Sequence, residues 1–427
     1  MSNIETSTGN FTTIPRNQHN LSRKSISEAA LKVLYRLANS GYRACLVGGG
    51  VRDLLLEQQP KDFDIATSAT PEQVHTLFRN SRIIGRRFRL VHIRYGREII
   101  EVATFRGQPS DSPKTELNTE GRILRDNTFG EIEDDALRRD FTANALYYDI
   151  DDFSIIDYAD GLRDIESRTL RLIGDATTRY QEDPVRMLRA VRFAAKLDFR
   201  VEQAAADAIF ECGYLLADIP AARLFDETVK LFHSGKAIRV LELLRHFNLL
   251  QFLFPALDQL LKNEPSELML DFLDQALTNT DTRVNSDQHV SPAFIFASLL
   301  WPVVHKQAME IQSDQIKMIP ALFQAGSEVM GRQVKHIAIP RRFSQMARDI
   351  WTAQPKFHRT QGKNPSRLLA QSSFRAAYDF MCIQSMVGLF PTQLSLWWTE
   401  YQKGQPIPES RPASARKHRS RPKPHAG

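Results

Sequence analysis

Two carboxylates separated by one residue, Asp62 and Asp64, are the side chains of this sequence best suited to chemistry. Side chains two residues apart in a β-strand point to the same face, so a strand here places the two acids side by side and buries Phe63. Carboxylate oxygens bind hard cations such as Mg²⁺, and a pair of such ions stabilises the attacking and leaving oxygens of a displacement. The spacing therefore predicts metal-dependent phosphoryl transfer, although an isolated Asp-x-Asp triplet also occurs in exposed turns.

A glycine turn precedes the two acids. Apolar residues 45–47 lead into Gly48, Gly49 and Gly50, a short apolar run follows, and residues 62–67 form the next strand-like segment. This order predicts strand, turn, short helix, loop and strand. Glycines allow close backbone approach to a triphosphate, and the helix start attracts anions, so these glycines and Arg52 are predicted to seat the triphosphate. Neither a dinucleotide fingerprint nor a Walker loop is present.

Two arginine-rich segments follow. In residues 138–146, Arg139 is a candidate for the triphosphate or the incoming sugar, and Asn144 offers a donor and an acceptor to a ribose. A helix start with acids before bases explains the same charge order. Residues 182–197 are predicted to form a helix capped by Asp183 before Pro184, with arginines at every third position. A solvated face stabilised by ion pairs is the alternative for that helix.

Four segments in one order resemble the class II tRNA nucleotidyltransferase and bacterial poly(A) polymerase superfamily: residues 46–53, 62–67, 138–146 and 182–193. The resemblance implies that Asp140 joins Asp62 and Asp64 as a catalytic acid, and that Asp62 and Asp64 hold two Mg²⁺ ions, with Mn²⁺ as an alternative. It also implies that the incoming base is read by three side chains that select ATP, namely Asp183, Arg186 and Arg189. Glu101 remains a candidate for the acid cluster, equally well explained as a strand residue paired with an arginine.

Within the superfamily, residues 83–93 resemble the poly(A) polymerase branch. Their arginines Arg86, Arg87 and Arg89 are predicted to contact RNA, although a solvated basic turn is the ordinary alternative. The basic end of the chain supports the same branch and predicts salt-dependent RNA contact by Arg416, Lys417, Arg419 and Arg421. A solubilising tail without a partner is the alternative there.

The function expected from this resemblance is template-independent addition of AMP from ATP to the 3′ ends of mRNA, decay intermediates and small RNAs, with release of pyrophosphate. An RNA chaperone or the RNA-degradation machinery is the expected protein partner. A CCA-adding or A-adding tRNA nucleotidyltransferase is one alternative, and a non-catalytic RNA-binding protein on the same fold is another. Intact carboxylates argue against the latter, since clustered acids repel one another without metal.

Composition agrees with this interpretation. The chain has 427 residues, a net charge of +6 and three widely spaced cysteines, which favours a polyanionic partner and a reducing compartment over a disulfide framework. The polar first ten residues show no signal-peptide pattern, and the longest apolar stretch, near residues 294–304, is too short to span a bilayer. We therefore expect a cytoplasmic monomer.

The predicted fold class is α+β: a small mixed-sheet head, an all-helical neck and body, and a disordered basic tail. The predicted boundaries are a flexible start at 1–24, a catalytic head at 25–175, a neck at 176–240, a body at 241–404 and a tail at 405–427. Residues 25–41 are predicted to form an amphipathic helix beneath the glycine turn, and residues 107–127 a mobile loop. Trp351 and Phe357 are considered for base stacking. The further predicted helices cover residues 221–232, 237–254, 268–277, 292–304, 343–351 and 374–390.

Overall fold

The computed structural model describes residues 11–85, 89–107, 116–117, 123–125 and 129–403. The chain divides into two compact units, one ending at Leu253 and one beginning at Phe254. The finer predicted division into head, neck, body and tail stays a prediction, and the predicted disordered tail lies outside the described residues. Most of the predicted loop at 107–127 lies outside them as well.

The strands and most helices of the first unit are short, whereas the second unit contains three helices of 19 or 20 residues. The strands are β1 (Thr12–Ile14), β2 (Ala44–Val47), β3 (Asp64–Thr67), β4 (Ser81–Ile84), β5 (Leu90–Tyr95), β6 (Glu98–Thr104), β7 (Glu116–Leu117), β8 (Ile123–Arg125), β9 (Leu146–Asp149), β10 (Ile155–Asp157), β11 (Thr169–Leu170) and β12 (Arg200–Val201). The helices of the first unit are α1 (Glu28–Asn39), α2 (Gly49–Leu55), α3 (Pro71–Leu77), α4 (Ile132–Leu137), α5 (Gly161–Glu166), α6 (Ala176–Glu182), α7 (Val185–Leu197), α8 (Gln203–Cys212), α9 (Ala221–Phe232), α10 (Ala237–His246) and α11 (Leu250–Leu253). Those of the second unit are α12 (Pro255–Asn263), α13 (Glu267–Asn285), α14 (Pro292–Ile311), α15 (Met318–His336), α16 (Arg341–Ala353), α17 (Asn364–Leu369), α18 (Phe374–Met386) and α19 (Thr392–Lys403).

The main sheet of the first unit is mixed, which confirms the predicted fold class. Its strand order is β1-β10-β9-β2-β3-β6-β5-β4. Strands β3 and β6 run parallel, and the other neighbouring pairs of this sheet run antiparallel. Strand β3 therefore lies in the middle of the sheet, between β2 and β6, where its position is fixed on both sides.

Helix α1 confirms the predicted amphipathic helix and packs against the sheet strands β2 and β6. Its N-cap is Ser27, whose hydroxyl accepts a hydrogen bond from the Ala30 backbone N–H. Serine is one of the residue types that N-cap positions favour for this reason. Val33, Leu34 and Leu37 on its inner face are completely buried. Burial of this stripe holds the helix against the strands that carry the glycine turn and the acids.

The regular elements of the second unit are all helices over its described residues, 254–403. Its core contains Trp301, Trp351 and Phe380, and α14 packs against both α15 and α16. Trp351 is completely buried and donates its indole N–H to the Ala297 carbonyl at 3.0 Å, and Phe357 is also completely buried. The interpretation of Trp351 and Phe357 as stacking residues for RNA bases is therefore wrong, because both rings belong to the core. Within the described ranges, none of the helices combines the length and the hydropathy that a membrane span requires.

Candidate active site

Asp62 and Asp64 lie at the start of the central strand β3. Both side chains are exposed, whereas Phe63 between them is only 5% exposed, as the predicted alternation requires. Asp64 begins the strand and pairs in register with Val47 on one side and Glu101 on the other. The two acids therefore lie at the end of the sheet where β3 begins, next to the glycine turn that follows β2.

The electrostatic surroundings of Asp64 are those of a carboxylate prepared for a cation. Loss of hydration and the negative charge of Glu101 raise its pKa from 3.8 to about 6, with a further contribution from Asp62 and an opposing one from Arg139. Glu101 itself lies 2.9 Å from His92 Nε2 through its Oε1 atom. Repulsion among carboxylates is relieved when a metal ion binds between them.

Asp140 forms hydrogen bonds with Arg189 and Asn144. Its Oδ2 atom accepts hydrogen bonds from Arg189 Nε at 2.7 Å and Nη2 at 2.5 Å, and its Oδ1 atom accepts from Asn144 Nδ2 at 3.4 Å. Burial alone would raise the pKa of this carboxyl, but the Arg189 charge and these hydrogen bonds hold it below its ordinary value. The predicted role of Asp140 in the acid cluster stays a prediction, and the acid in register with Asp64 is Glu101.

Gly48 allows Arg139 to approach the glycine turn. Gly48 has φ of +67°, and a Cβ atom added there would lie 3.1 Å from Arg139 Nη1. Arg139 is fixed by hydrogen bonds to Tyr147 Oη at 2.9 Å and Asp135 Oδ2 at 3.0 Å, so its guanidinium is already oriented. A preorganised cation beside a carboxylate pair is suited to a polyphosphate.

Arg52 is almost completely buried rather than free. It donates to Asp53 Oδ1 through Nε at 2.8 Å and to Asn144 Oδ1 through Nη1 at 2.5 Å. The predicted direct contact of Arg52 with a triphosphate stays a prediction. In this structure, Arg52 and Asp140 hold opposite ends of the Asn144 amide, which fixes its orientation.

The three side chains predicted to read the base lie around α7. Asp183 accepts a hydrogen bond from Arg223 Nη2 on α9 at 2.7 Å, and Arg186 donates to Glu182 Oε2 at 2.8 Å. The third, Arg189, holds Asp140. Residue 182 belongs to the preceding helix α6, so the helix predicted over 182–197 begins later than expected, but Asp183 is extended with φ of −149° and its Oδ1 atom accepts the Val185 backbone N–H at 3.4 Å, as the predicted cap requires. A proline disfavours the helical backbone conformation of the residue before it, which explains why the chain is not helical at Asp183.

The predicted RNA-contacting arginines fall mostly outside the described residues. Arg86, Arg87, Arg416, Lys417, Arg419 and Arg421 all lie there. Arg89 is described and lies 2.6 Å from Glu72 through Nη1 and Oε1. Their contact with RNA stays a prediction.

Several positioning residues were missed by the sequence reasoning. Asp53 lies inside the glycine-turn segment, and Asp135 lies four residues before Arg139, so local spacing was a usable signal for both. Tyr147 lies on β9, and its hydroxyl also donates to Asp135 at 2.5 Å. Arg223 reaches Asp183 from 40 residues away, and no local pattern indicates that contact.

The residues present fit a divalent metal ion. Among the described residues, no set of three or more His, Cys, Asp and Glu side chains is arranged to hold a metal by itself. Mg²⁺ in phosphoryl-transfer sites is commonly held by one or two carboxylates together with the phosphates of the substrate. The oxygen donors of Asp62 and Asp64, with the raised pKa of Asp64, match that donor set.

Comparison with known proteins supports the same class. Three family models match this chain: "Poly A polymerase head domain" over residues 44–171, "Probable RNA and SrmB- binding site of polymerase A" over 198–261, and "Polymerase A arginine-rich C-terminus" over 314–426. Poly(A) polymerase I of Escherichia coli O6:H1 is 48% identical over 402 residues, covering 92% of this chain and 86% of that protein. Poly(A) polymerase I of Salmonella typhi is 46% identical, with 97% and 92% covered. A CCA-adding enzyme of Lactobacillus johnsonii is 40% identical but covers 48% of this chain and 49% of its own.

Among solved structures, a tRNA nucleotidyltransferase complexed with a primer tRNA and an incoming ATP analog matches with a TM-score of 0.60 at 19% identity, covering 87% of this chain and 99% of that one. At this identity, the likeness concerns the fold alone. The mixed sheet, the carboxylate pair at its edge and the helices that follow define a nucleotidyltransferase. With its relatives at 46–48% identity over nearly the whole chain, the protein belongs to the poly(A) polymerase family.

Proposed function

We propose that this protein is a template-independent poly(A) polymerase that transfers AMP from ATP to RNA 3′ ends. The observation that carries this proposal is the exposed Asp62 and Asp64 pair beside the glycine turn and the oriented Arg139, in a chain of the poly(A) polymerase family. In the reaction, the RNA 3′ oxygen forms a bond to the α-phosphorus of ATP. The bond from that phosphorus to the bridging oxygen breaks, and pyrophosphate leaves with it.

Asp62 and Asp64 are the proposed metal ligands. Two Mg²⁺ ions, or Mn²⁺ in their place, would lower the pKa of the attacking hydroxyl and neutralise the leaving pyrophosphate. The protein's own contribution is to hold the two carboxylates close together, where loss of hydration first, and then the charges of Glu101 and Asp62, raise the pKa of Asp64. Glu101 in register with Asp64 increases the repulsion among these carboxylates and therefore the gain on binding cations.

The remaining polar side chains are proposed to bind and orient the nucleotide. Gly49 and Gly50 open α2, and the first N–H groups of a helix have no acceptor within it, so they are available to phosphate oxygens. Arg139 lies beside Gly48 and is proposed to bind the triphosphate. Arg52 and Asp140 are proposed to act on the nucleotide chiefly by fixing Asn144, whose amide would face the ribose.

Selection of adenine is proposed to lie with Asp183, Arg186 and Arg189 around α7. Asp183 has an acceptor carboxylate whose orientation is set by Arg223 at 2.7 Å. Arg186 and Arg189 are each paired with an acid, Glu182 and Asp140 respectively. Hydrogen bonds from fixed groups discriminate bases more strongly than shape alone, because a mismatched base leaves buried polar groups unpaired.

The proposed partners are RNA 3′ ends of mRNA, decay intermediates and small RNAs, together with an RNA chaperone or degradation machinery. The three cysteines are unpaired, and Cys45 and Cys212 are buried, which suits a reducing compartment and supports a proposed cytoplasmic location. We propose that the protein acts as a monomer.

Extension of a labelled, non-tRNA oligoribonucleotide tests the proposal. Each of the four nucleoside triphosphates is supplied separately with Mg²⁺, and the products are resolved on a sequencing gel. A long ladder with ATP alone is expected. Incorporation of CTP, or addition of one to three nucleotides to tRNA only, would instead assign the protein to CCA addition, which the half-length match to CCA-adding enzymes already disfavours.

A further inference from the structure

A second polar cleft lies in the first unit, and it shares no lining residue with the candidate active site. Its volume is about 400 Å³, and it is formed by α5, the small parallel sheet of β11 and β12, and the start of α8. Its principal polar lining residues are Arg163, Asp164, Ser167, Arg171, Arg200 and Glu202. Three guanidinium groups from separate elements thus meet around one space.

One arginine forms hydrogen bonds to both acids of the cleft. Arg171 donates to Asp164 Oδ2 through Nε at 3.1 Å and to Glu202 Oε1 through Nη1 at 2.8 Å. Asp164 is 2% exposed and also accepts the Thr142 hydroxyl at 2.7 Å, so its position is fixed from two sides. Arg171 is therefore held in place, and its single positive charge faces two carboxylates.

Arg163 and Arg200 give the cleft its excess of positive charge, because its three arginines face only two acids. Both are exposed, and neither forms an ion pair with another residue of the described parts of the chain. The Arg200 guanidinium contacts the Thr169 hydroxyl at a long 3.5 Å from Nε. The lining of the cleft therefore keeps a net positive charge with two guanidinium groups available to a ligand.

Two hydroxyl groups also line the cleft. Ser167 donates to the Thr169 hydroxyl at 3.0 Å, and both side chains line the same cleft. Guanidinium groups bind phosphate oxygens bidentately, and hydroxyls commonly add single hydrogen bonds to the same phosphates. We propose that this cleft binds a backbone phosphate of the RNA substrate, away from the reacting 3′ end.

The observations favour RNA over a free anion as the source of that phosphate. Arg200 and Glu202 fall in the segment matched by the RNA-binding family model, whereas Arg163 and Arg171 fall in the segment matched by the head model. The cleft joins these two segments, and its volume admits a sugar with its phosphate. The proposal rests on the proposed function in one respect, that RNA is the substrate.

RNA binding without nucleotide or metal tests the proposal. The double variant R163Q/R200Q is compared with R94Q/R97Q, which removes two exposed arginines from the β5–β6 hairpin. Affinity for a labelled 20-nucleotide, non-tRNA RNA is measured by fluorescence anisotropy across a KCl series. We expect R163Q/R200Q to bind about tenfold more weakly at low salt, with a log–log salt slope reduced by about 0.7 for each phosphate that is no longer neutralised. Unchanged affinity, or an equally weakened affinity in R94Q/R97Q, would overturn the proposal.

Two further arms keep the result interpretable. Arg163 is exposed and forms no ion pair in the described residues, so the single variant R163Q tests the cleft even where the double variant fails to fold. Titration of wild type and R163Q with inorganic phosphate separates the two sources of phosphate. Loss of phosphate binding with unchanged RNA affinity would overturn the RNA assignment. Because no triphosphate is present, these results do not depend on which nucleotide the enzyme adds.

Discussion

At the scale of single residues, the proposed phosphoryl transfer depends on the short distances between the carboxylates of Asp62, Asp64 and Glu101. The spacing of Asp62 and Asp64 was sufficient to predict their shared exposure and the burial of Phe63, because strand alternation is a local property. The proximity of Glu101 to Asp64 could not be predicted in this way. Glu101 reaches it through pairing of β3 with β6, which depends on the whole sheet rather than on spacing in the sequence.

The raised pKa of Asp64 has a consequence for stability. With a pKa of about 6 in the folded protein and an ordinary value of 3.8, the folded state binds more protons between these values, so stability falls as pH rises from about 4 to 6. Asp64→Asn should therefore raise the melting temperature in EDTA at pH 7.5 by about 2–4 °C, or about 1 kcal/mol after solvent screening, and not at pH 4. Thermal denaturation at both pH values checks this.

The control for that measurement is Asp226→Asn, which removes an exposed acid from α9. Mg²⁺ should stabilise the wild type and the control but not Asp64→Asn. A melting temperature of Asp64→Asn equal to wild type at every pH, with Mg²⁺ still stabilising it, would show that Asp64 is neither repelled by its neighbours nor a ligand.

Substitutions of Glu101 and Asp140 are expected to differ in their effect on the Mg²⁺ concentration that the enzyme requires. Glu101→Gln removes the charge in register with Asp64 and should raise the Mg²⁺ concentration for half-maximal activity by about tenfold. Asp140→Asn removes the partner of Arg189, so it should lower kcat and cost about 2 kcal/mol of stability without changing that Mg²⁺ requirement. Mg²⁺ titration of the extension rate and chemical denaturation measure both quantities. The opposite pattern would place Asp140 among the metal ligands.

At the scale of elements, local signals predicted where helices occur better than where they break. Helix α9 was predicted at its observed bounds, and α1 at its buried stripe. The predicted helix over 237–254 is interrupted, since α10 ends at His246 and Asn248 has φ of +55°. Asparagine tolerates this left-handed conformation, but its presence alone does not require it.

Helix α15 is not among the predicted helices, and it contains two glycines, Gly326 and Gly331. Gly326 is needed there for packing, since a Cβ atom would lie 2.9 Å from the Trp351 ring, whereas a Cβ atom at Gly331 would contact nothing within 4 Å. The close approach of α16 that explains Gly326 is a tertiary contact. No pattern within the sequence of α15 reveals it, and packing overrides propensity at this position.

The glycine turn before α2 has a matched pair of variants. Gly48→Ala should cost about 1–3 kcal/mol from its positive φ and also move Arg139, whose Nη1 would lie 3.1 Å from the new Cβ. Gly41 has φ of +83°, but a Cβ atom there meets nothing within 4 Å, so Gly41→Ala should lower stability without affecting the site. We expect Gly48→Ala to reduce the ATP extension rate by about tenfold or more and Gly41→Ala to retain it. Denaturation and primer extension together check this, and equal activity in the two variants would remove Arg139 from the triphosphate site.

At the scale of the whole molecule, charge distribution adds affinity for a polyanion. The chain carries a net charge of +6, and residues 405–427 contain six arginine and lysine residues and one glutamate. Charges of this kind add RNA affinity that does not depend on sequence and that falls with salt.

Deletion of residues 405–427 should therefore weaken RNA binding more at low salt than at high salt. We expect affinity to fall about tenfold at 50 mM KCl and only about twofold at 300 mM, with a shallower log–log slope. Fluorescence anisotropy of a labelled RNA across the salt series measures it. The same affinity for both proteins at every salt concentration would exclude the basic end from RNA binding.

The substitution Asp62→Asn shows whether the carboxylate pair beside the glycine turn carries the reaction. Extension of a non-tRNA oligoribonucleotide with ATP is compared among wild type, Asp62→Asn and the control Asp226→Asn, with RNA affinity and melting temperature measured on the same samples. We predict that Asp62→Asn lowers the rate by at least about a thousandfold while folding and RNA binding stay unchanged, since removal of a metal ligand removes most of the catalysis. Extension by Asp62→Asn at a rate close to wild type would show that Asp62 is not a metal ligand of the reaction.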